Sequence, residues 1–140
     1  MIRPLIAALA LSACAAPDVT TRRIGNAGGG VVTEYIARAD SLRGQPVVIT
    51  GECHSACAML ASLPTACLGP RAKVGLHWPY VKHGSVVAGP DALSPWFDRV
   101  TPQIAAAVRA MPFDYASAGD VQITVTAANA AQYGLRVCEG

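Results

Sequence analysis

The chain has 140 residues, of which 52% are hydrophobic and 14% are charged, and its formal net charge is +2 at pH 7. A chain of this length forms one domain with a core of moderate size. Its 11 basic residues are scattered and nearly balanced by 9 acidic ones. The sequence therefore lacks the basic patch that nucleic-acid binding requires, and no nucleic-acid partner is expected.

The amino terminus has the pattern of a secretory signal. Arg3 is the only charge before an apolar run at residues 5–11, and small residues follow up to Cys14. A basic start, a short apolar core and small residues at the cleavage point are typical of exported proteins. The run is too short to cross a bilayer as a helix, which takes roughly 20 apolar residues. We therefore expect a cleaved signal peptide at residues 1–13.

The four residues Leu-Ser-Ala-Cys that end at Cys14 resemble a bacterial lipoprotein signal, in which the cysteine carries the lipid. The alternative is an ordinary cleaved signal with an incidental cysteine. Lipidation of Cys14 implies a periplasmic protein anchored in the cell envelope. Ala15 follows the cysteine in place of an aspartate, so retention at the inner membrane is not signalled and the outer membrane is expected. Residues 14–23 are then a tether, and residues 24–140 the folded domain.

The first half of the domain has a glycine-rich turn at residues 24–30 and a helix at residues 31–42, whose apolar positions share one face. The next element, residues 47–50, is a short apolar strand of the kind buried in a parallel sheet. A Gly-led turn then places Ser55 at the start of a helix predicted at residues 56–63.

Two further strands are predicted at residues 66–68 and 74–77, and the second ends at His77. The remaining predicted elements are a loop at 79–94, a helix at 95–111 that Pro102 divides, a loop at 114–120, a strand at 121–125, a helix at 127–133 and a strand at 135–138. In the predicted carboxyl-terminal helix, Thr126 is the cap and Gly134 the stop. This alternation predicts an α/β fold with a mostly parallel sheet and right-handed crossovers.

Four cysteines remain after Cys14, an even number that indicates two disulfides in an oxidising compartment. They are Cys53, Cys57, Cys67 and Cys138. Three connectivities are open; the short spacing around Ser55 favours Cys53–Cys57, which leaves Cys67–Cys138. One alternative is a metal site formed with His54, although the spacing matches no defined zinc pattern and no metal is expected. The other is a free thiolate nucleophile at Cys53 or Cys57.

Four motifs, taken together, resemble the proteolytic subunit of Clp protease and its exported relatives in the Clp/crotonase fold. They are Gly29-Gly30, Gly51-Glu-Cys-His-Ser55, His77-Trp-Pro79 and Thr126-Ala-Ala-Asn-Ala-Ala-Gln-Tyr133-Gly-Leu135. The resemblance covers residues 24–137 and implies repeated β-α units. It also implies a serine hydrolase that acts on peptides by acyl transfer, needs no cofactor and assembles as a homo-oligomer.

The resemblance implies specific roles at this site. Ser55 is the nucleophile and His77 is its general base, because a serine hydroxyl is a weak nucleophile at neutral pH without an adjacent base. The oxyanion hole consists of the backbone N–H of Ala56 with that of Gly29 or Gly30. Groups at the start of a helix have no intrahelical partner and can bind a developing oxyanion.

Two departures from the family pattern bear on these roles. The third catalytic residue of the family, an aspartate, falls on Gln122 by count, so Asp120 is the candidate at this position. The family also has a complete strand and helix before its Gly-Gly strand, and this chain has no room for them after the predicted signal. The sheet is then expected to expose an edge that an oligomer covers, or the chain is a reduced, inactive member.

Several alternatives stay open at this point. Ser55 can be a helix cap and His77 a strand-end histidine bonded to backbone, in a non-catalytic member that binds peptides or assembles as an oligomer. Lys73 can replace His77 in a Ser–Lys dyad. Trp78 and Tyr80 can line a peptide groove or cover a sheet edge. The crotonase branch adds acyl-CoA chemistry, a substrate that an exported protein rarely meets.

Overall fold

The computed structural model describes residues 20–140, so Cys14, the predicted signal and most of the tether lie outside the described residues. Within this range the fold is mixed α/β. The strands are β1 (Arg22–Ile24), β2 (Val47–Ile49), β3 (Glu52–His54), β4 (Ala66–Leu68), β5 (Lys73–Leu76), β6 (Tyr80–His83), β7 (Val86–Pro90) and β8 (Ile123–Val125). The α-helices are α1 (Val32–Ser41), α2 (Ala58–Ala61) and α3 (Pro102–Ala110), with 3-10 helices at Ser55–Cys57, Pro95–Asp98 and Ala130–Tyr133.

The strands form two three-stranded sheets and one hairpin in the described part of the chain. The first sheet has the order β1-β2-β4 and is entirely parallel, with Ile24, Ile49 and Leu68 in register. The second has the order β3-β5-β8, in which β3 and β5 are parallel and β8 is antiparallel to β5. The prediction of a mostly parallel sheet is thus confirmed for the first sheet.

The chain repeats one path through these sheets. Strand β2 enters the first sheet, β3 enters the second and a helical segment follows; β4 and β5 then take the same two positions. An earlier pass begins with β1, reaches the second sheet through a parallel bridge between Ala27 and Cys53, and continues into α1. Because β3 and β5 are parallel, their carboxyl ends lie at the same sheet edge, where α/β proteins form sites.

Helix α2 lies at the centre of the core. All four of its residues are buried, and it packs against α1, β2, β4 and β5. Its sequence, Ala-Met-Leu-Ala, carries no polar group that would need a partner in such surroundings. The predicted helix at 56–63 is confirmed, although its first turn is the 3-10 helix Ser55–Cys57.

The prediction of a loop at residues 79–94 is wrong, because this segment contains the antiparallel hairpin of β6 and β7. Valine and tyrosine favour strands, and a two-residue connection, Gly84-Ser85, joins His83 to Val86. Gly84 adopts φ 63°, which a side chain would oppose. The prolines and glycines, which suggested a loop, lie mainly at the hairpin's end and turn.

The carboxyl-terminal predictions also need correction. The helix expected at 127–133 is one 3-10 turn, Ala130–Tyr133, which Gly134 ends at φ 68°. The strand expected at 135–138 is reduced to a single bridge between Leu68 and Val137. The helix expected at 95–111 is divided before Pro102, as predicted, and the Thr101 hydroxyl caps α3 by accepting from Ile104 N.

Two disulfides join Cys53 to Cys57 and Cys67 to Cys138, so the favoured pairing is confirmed. The first spans four residues around Ser55, and the second links β4 to the carboxyl terminus across 71 residues. Because these four cysteines are in disulfides, none of their sulfurs is free to act as a thiolate nucleophile or as a metal ligand.

Among residues 20–140, no helix combines the length and apolar character needed to cross a membrane.

Candidate active site

Ser55 occupies a strained turn between β3 and the following helix. Its φ is 58°, in the left-handed region that L-residues other than Gly, Asn and Asp avoid. A non-glycine residue in this region costs on the order of 1–3 kcal/mol and persists only when its surroundings hold it there. A sharp strand-to-helix turn of this kind is also the device by which hydrolases present a serine hydroxyl.

Two contacts hold this turn. The disulfide between Cys53 and Cys57 closes around it, and both cysteines are fully buried. Trp96, which is 2% exposed, donates from Nε1 to the Ser55 carbonyl at 3.2 Å. Ala56 is buried directly after the serine. The backbone of Ser55 is therefore fixed from both sides, while its side chain faces a cleft.

The glycine-rich segment passes against this turn with no room for a side chain at Gly29. A Cβ on Gly29 would lie 2.6 Å from Ser55 Cβ and 2.8 Å from the His54 carbonyl oxygen, and its φ is 87°. Two hydrogen bonds pin the segment to β3: Ala27 N to Glu52 O, and His54 N to Ala27 O, both 2.8 Å. Glycine at position 29 is thus required by the close approach of two backbones.

Three backbone N–H groups near Ser55 have no hydrogen-bond acceptor among the described residues. Within residues 20–140, the N–H groups of Gly29 and Gly30 donate no hydrogen bond to another protein group. The N–H of Ala56 belongs to the first turn of its helix, where no intrahelical acceptor exists. A Cβ at Gly29 would approach Ala56 N within 3.3 Å, so the two predicted halves of the oxyanion hole are neighbours.

His77 follows β5 and is 9% exposed. Its Nδ1 lies 2.8 Å from the carbonyl oxygen of Trp78. A carbonyl can only accept, so Nδ1 is the donor, and in the neutral imidazole Nε2 carries the lone pair that a general base needs. Trp78 is itself held, because its Nε1 donates to the Met111 carbonyl at 2.8 Å.

Ser55 and His77 line one open cleft of about 530 Å³. The cleft is also lined by Gly28, Gly30, Ala56, Pro79, Tyr80, Lys82, Asp91, Trp96 and Gly119, with Val31 and Val32 from the start of α1. Among the hydrogen bonds of the described residues, none joins Ser55 Oγ to His77. The nucleophile and base that the sequence predicts thus share a cleft without a direct bond, and their catalytic roles stay predictions.

Asp120 lies in the exposed loop before β8. Its N–H donates to Ser117 O at 2.9 Å, and across residues 20–140 no ion pair joins its carboxylate to His77. The Trp78 carbonyl occupies the position on Nδ1 that a triad aspartate would take. A small cavity shared by His77, Asp114, Ser117 and Gln122 lies beside this region. The assignment of Asp120 as the third catalytic residue stays a prediction.

Two other polar residues of the predicted segment point away from the cleft. Lys73 forms an ion pair with Glu52 at 3.8 Å, and His54 Nε2 lies 2.5 Å from the other carboxylate oxygen of Glu52. Lys73 is paired with Glu52 at the amino ends of β3 and β5, whereas Ser55 follows the carboxyl end of β3. The Ser–Lys dyad is therefore not formed in this structure, and His54 is not at the site.

Sequence reasoning missed three cleft residues, Trp96, Lys82 and Asp91. Trp96 belongs to an apolar helical face in the sequence, and nothing there indicates that its Nε1 holds the Ser55 turn. Lys82 and Asp91 reach the cleft through the hairpin, which was interpreted as a loop.

Comparison of the chain with protein-family models, with curated proteins and with solved structures finds no match.

Proposed function

We propose that this protein is a serine hydrolase of the Clp/crotonase type that acts on peptides by acyl transfer through Ser55, with His77 as general base. The observation that carries the proposal is the left-handed turn at Ser55, packed against Gly29 and opening into a cleft that His77 also lines. Strain that the surrounding structure maintains at a polar residue is typical of active sites.

The proposed reaction uses two side chains that line the cleft and the backbone donors beside Ser55. His77 Nε2 accepts the Ser55 proton as Oγ attacks the substrate carbonyl, and the same proton then passes to the leaving amine. The N–H groups of Ala56 and of Gly29 or Gly30 stabilise the tetrahedral oxyanion. Water hydrolyses the acyl-enzyme in a second round of the same proton transfers. Closure of the cleft on substrate is expected to bring Nε2 to Oγ, since catalytic hydrogen bonds are often long without substrate.

The fold supports the family assignment at a coarse level. Two successive passes, β2–β3 and β4–β5, each contribute one strand to each of two sheets, and a helical segment directly follows the first of them. Strand β1 is the outer strand of the first sheet and pairs with β2 alone among the described strands. We expect a homo-oligomer to cover this edge, because exposed edges invite pairing with another chain.

A fluorophosphonate probe tests the proposed activity. The probe is expected to add to Ser55 of the wild type, as located by peptide mass mapping, and Ser55→Ala and His77→Ala are expected to abolish the adduct. Lys73→Ala is the matched control, because Lys73 lies at the opposite end of the strands. Absence of labelling in the folded, disulfide-bonded protein at neutral pH would contradict the proposal.

A second candidate is a non-catalytic member that binds peptides in the same cleft. It is favoured by the bond from His77 Nδ1 to the Trp78 carbonyl and by the lack of a bond between Ser55 Oγ and His77 in the described residues. This reading predicts peptide binding without turnover and without labelling. The probe experiment therefore separates the two candidates.

The location we propose is the bacterial envelope, with Cys14 as the lipid-bearing residue. Two disulfides support an oxidising compartment. Stable anchoring requires more than one acyl chain, since a single one binds membranes only marginally. Cys14→Ser is expected to abolish fatty-acid labelling and release the protein from the membrane fraction. Labelling that persists in this variant would overturn the proposal.

A further inference from the structure

The charge on the cleft walls is uneven. Two side chains of opposite charge line the cleft, Lys82 on β6 and Asp91 just after β7. They form no ion pair with each other, and within residues 20–140 neither side chain has a salt-bridge partner. Both charges are thus available to a ligand in the cleft.

The two residues differ in how far they are removed from water. Asp91 is half-buried, and its backbone is fixed by two hydrogen bonds, from its N–H to Pro79 O at 2.8 Å and from Ser94 N to its carbonyl at 3.2 Å. Its carboxylate accepts no hydrogen bond from any described residue. Lys82 is exposed, and its Nζ lies 5.6 Å from the centre of the Tyr80 ring.

A half-buried carboxylate without a partner gains more from an incoming charge than a hydrated surface ammonium does. Partial burial weakens its hydration, while the exposed lysine keeps its water and is screened by salt. The N–H of Asp91 donates to the carbonyl of Pro79, and Pro79 follows His77 by two residues in the chain. The backbone of Asp91 is therefore held next to the segment that carries His77. A group bound by Asp91 would therefore lie in the same cleft as the reacting bond.

We propose that Asp91 binds a cationic group of the substrate, an ammonium or guanidinium, and so selects positively charged peptides. This inference rests on the proposed hydrolase activity of Ser55 and names its substrate class. The cation can be a lysine or arginine side chain or the amino terminus of the peptide. The test below distinguishes these two sources.

Three diphenyl phosphonates of matched size provide the test: an N-acylated lysine analogue, an N-acylated norleucine analogue and a norleucine analogue with a free amino group. In each reaction a bond forms between Ser55 Oγ and phosphorus, one phosphorus–phenoxide bond breaks, and the serine proton leaves with phenoxide as phenol through His77. Rates of adduct formation are measured by intact mass on the full disulfide-bonded protein.

We expect one of the two cationic probes to react about 10- to 100-fold faster than the neutral probe, because a charge-assisted hydrogen bond to Asp91 typically contributes a gain of this size. A fast lysine probe identifies a side-chain site, and a fast free-amine probe identifies an amino-terminal site. Asp91→Asn is expected to bring the ratio of cationic to neutral rates close to one. Asp98→Asn, which removes an exposed carboxylate outside the cleft, is expected to keep the wild-type ratio.

The failures are distinguishable. Equal rates for all three probes on Ser55, or a cationic preference that survives Asp91→Asn, would overturn this inference and leave the hydrolase standing. No adduct with any probe would overturn both the hydrolase and the inference. Circular dichroism and non-reducing peptide maps of each variant confirm that the fold and the disulfides are intact before rates are compared.

Discussion

The Ser55 wall of the cleft consists of buried backbone, whereas Lys82 lies on the exposed hairpin of β6 and β7 and the half-buried Asp91 directly follows it. Cys53, Ala56 and Cys57 are almost completely inaccessible, and a disulfide and an indole hydrogen bond fix the turn between them. The hairpin of β6 and β7 pairs with no other strand in the described part of the chain. Elements with few buried contacts open most readily.

Under the proposed function, the two walls have different roles. Acyl transfer needs donors and a nucleophile held within a fraction of an ångström, which the buried wall would supply. Recognition of a varied substrate tolerates movement, which the hairpin permits. Substitutions in the Ser55 wall should therefore change the rate of labelling strongly, and substitutions in the other wall should change its selectivity.

The largest expected effect comes from Gly29→Ala. The added Cβ would clash with Ser55 Cβ and the His54 carbonyl, and φ 87° disfavours alanine as well. Displacing an oxyanion donor typically costs 100- to 1,000-fold in rate, so we expect fluorophosphonate labelling to fall by about 100-fold or more. The strain also lowers the free energy of unfolding by about 1–3 kcal/mol.

Gly51→Ala is the matched control, because a Cβ at that position meets its nearest atoms only at 3.6 Å or more, its φ is not positive and it does not line the cleft. We expect its labelling rate to stay within a few-fold of wild type. Equal losses in the two variants would mean that the close approach at Gly29 does not matter for the site.

The two disulfides should separate local positioning from global stability. Cys67→Ser with Cys138→Ser opens a 71-residue loop and should lower the free energy of unfolding by about 4 kcal/mol, against about 2 kcal/mol for Cys53→Ser with Cys57→Ser. Labelling should respond in the opposite order, because only the short disulfide encloses Ser55. Urea denaturation and labelling of both double variants provide the comparison. A labelling loss that simply tracks stability would contradict it.

The two tryptophans give a smaller and more local test. Trp96→Phe removes the donor to the Ser55 carbonyl, and Trp78→Phe removes the donor to the Met111 carbonyl. Each change should cost about 1 kcal/mol of stability, the usual contribution of one hydrogen bond. Trp96→Phe should slow labelling several-fold more than Trp78→Phe, since only Trp96 contacts the strained turn. A slower labelling rate in Trp78→Phe than in Trp96→Phe would mean that the positioning of His77, and not that of the Ser55 turn, limits the reaction.

Asp120→Asn should have a minor effect if the Trp78 carbonyl orients His77. We expect less than a threefold change in the labelling rate, since the bond from Nδ1 to that carbonyl is unaffected. A loss of several orders of magnitude would instead establish Asp120 as the third member of a triad that assembles on substrate binding.

The smallest effect concerns Asp40, which lies in another groove with Arg99. The hydrogen bond from Arg99 lowers the pKa of the Asp40 carboxyl. The stability from this pair is present above the ordinary carboxyl pKa of about 3.9 and is lost as the pH falls through the lower folded-state pKa. In Arg99→Gln, the free energy of unfolding, measured by urea denaturation, should fall less steeply as the pH is lowered through this range. Labelling at neutral pH should be unchanged. An altered labelling rate would show that the groove is coupled to the cleft.

The sequence was sufficient for local features with strong physical signals. Helix α1 and the break at Pro102 follow from periodicity and proline geometry, and the structure confirms them. The cysteine spacing left three connectivities open, and the one it favoured is the one observed. It was insufficient for the hairpin, because Gly84 and the nearby prolines are equally typical of loops. The left-handed φ of Ser55 carries no sequence signal, since it arises from Trp96, distant in the chain, and from the packing of Gly29.

A crystal structure of the protein after reaction with a fluorophosphonate tests the proposed role of Ser55 most directly. We expect phosphorus bonded to Ser55 Oγ, a phosphonyl oxygen within hydrogen-bond distance of Ala56 N and of Gly29 N or Gly30 N, and His77 Nε2 beside the adduct. A probe attached elsewhere, or a phosphonyl oxygen directed away from these N–H groups, would contradict it.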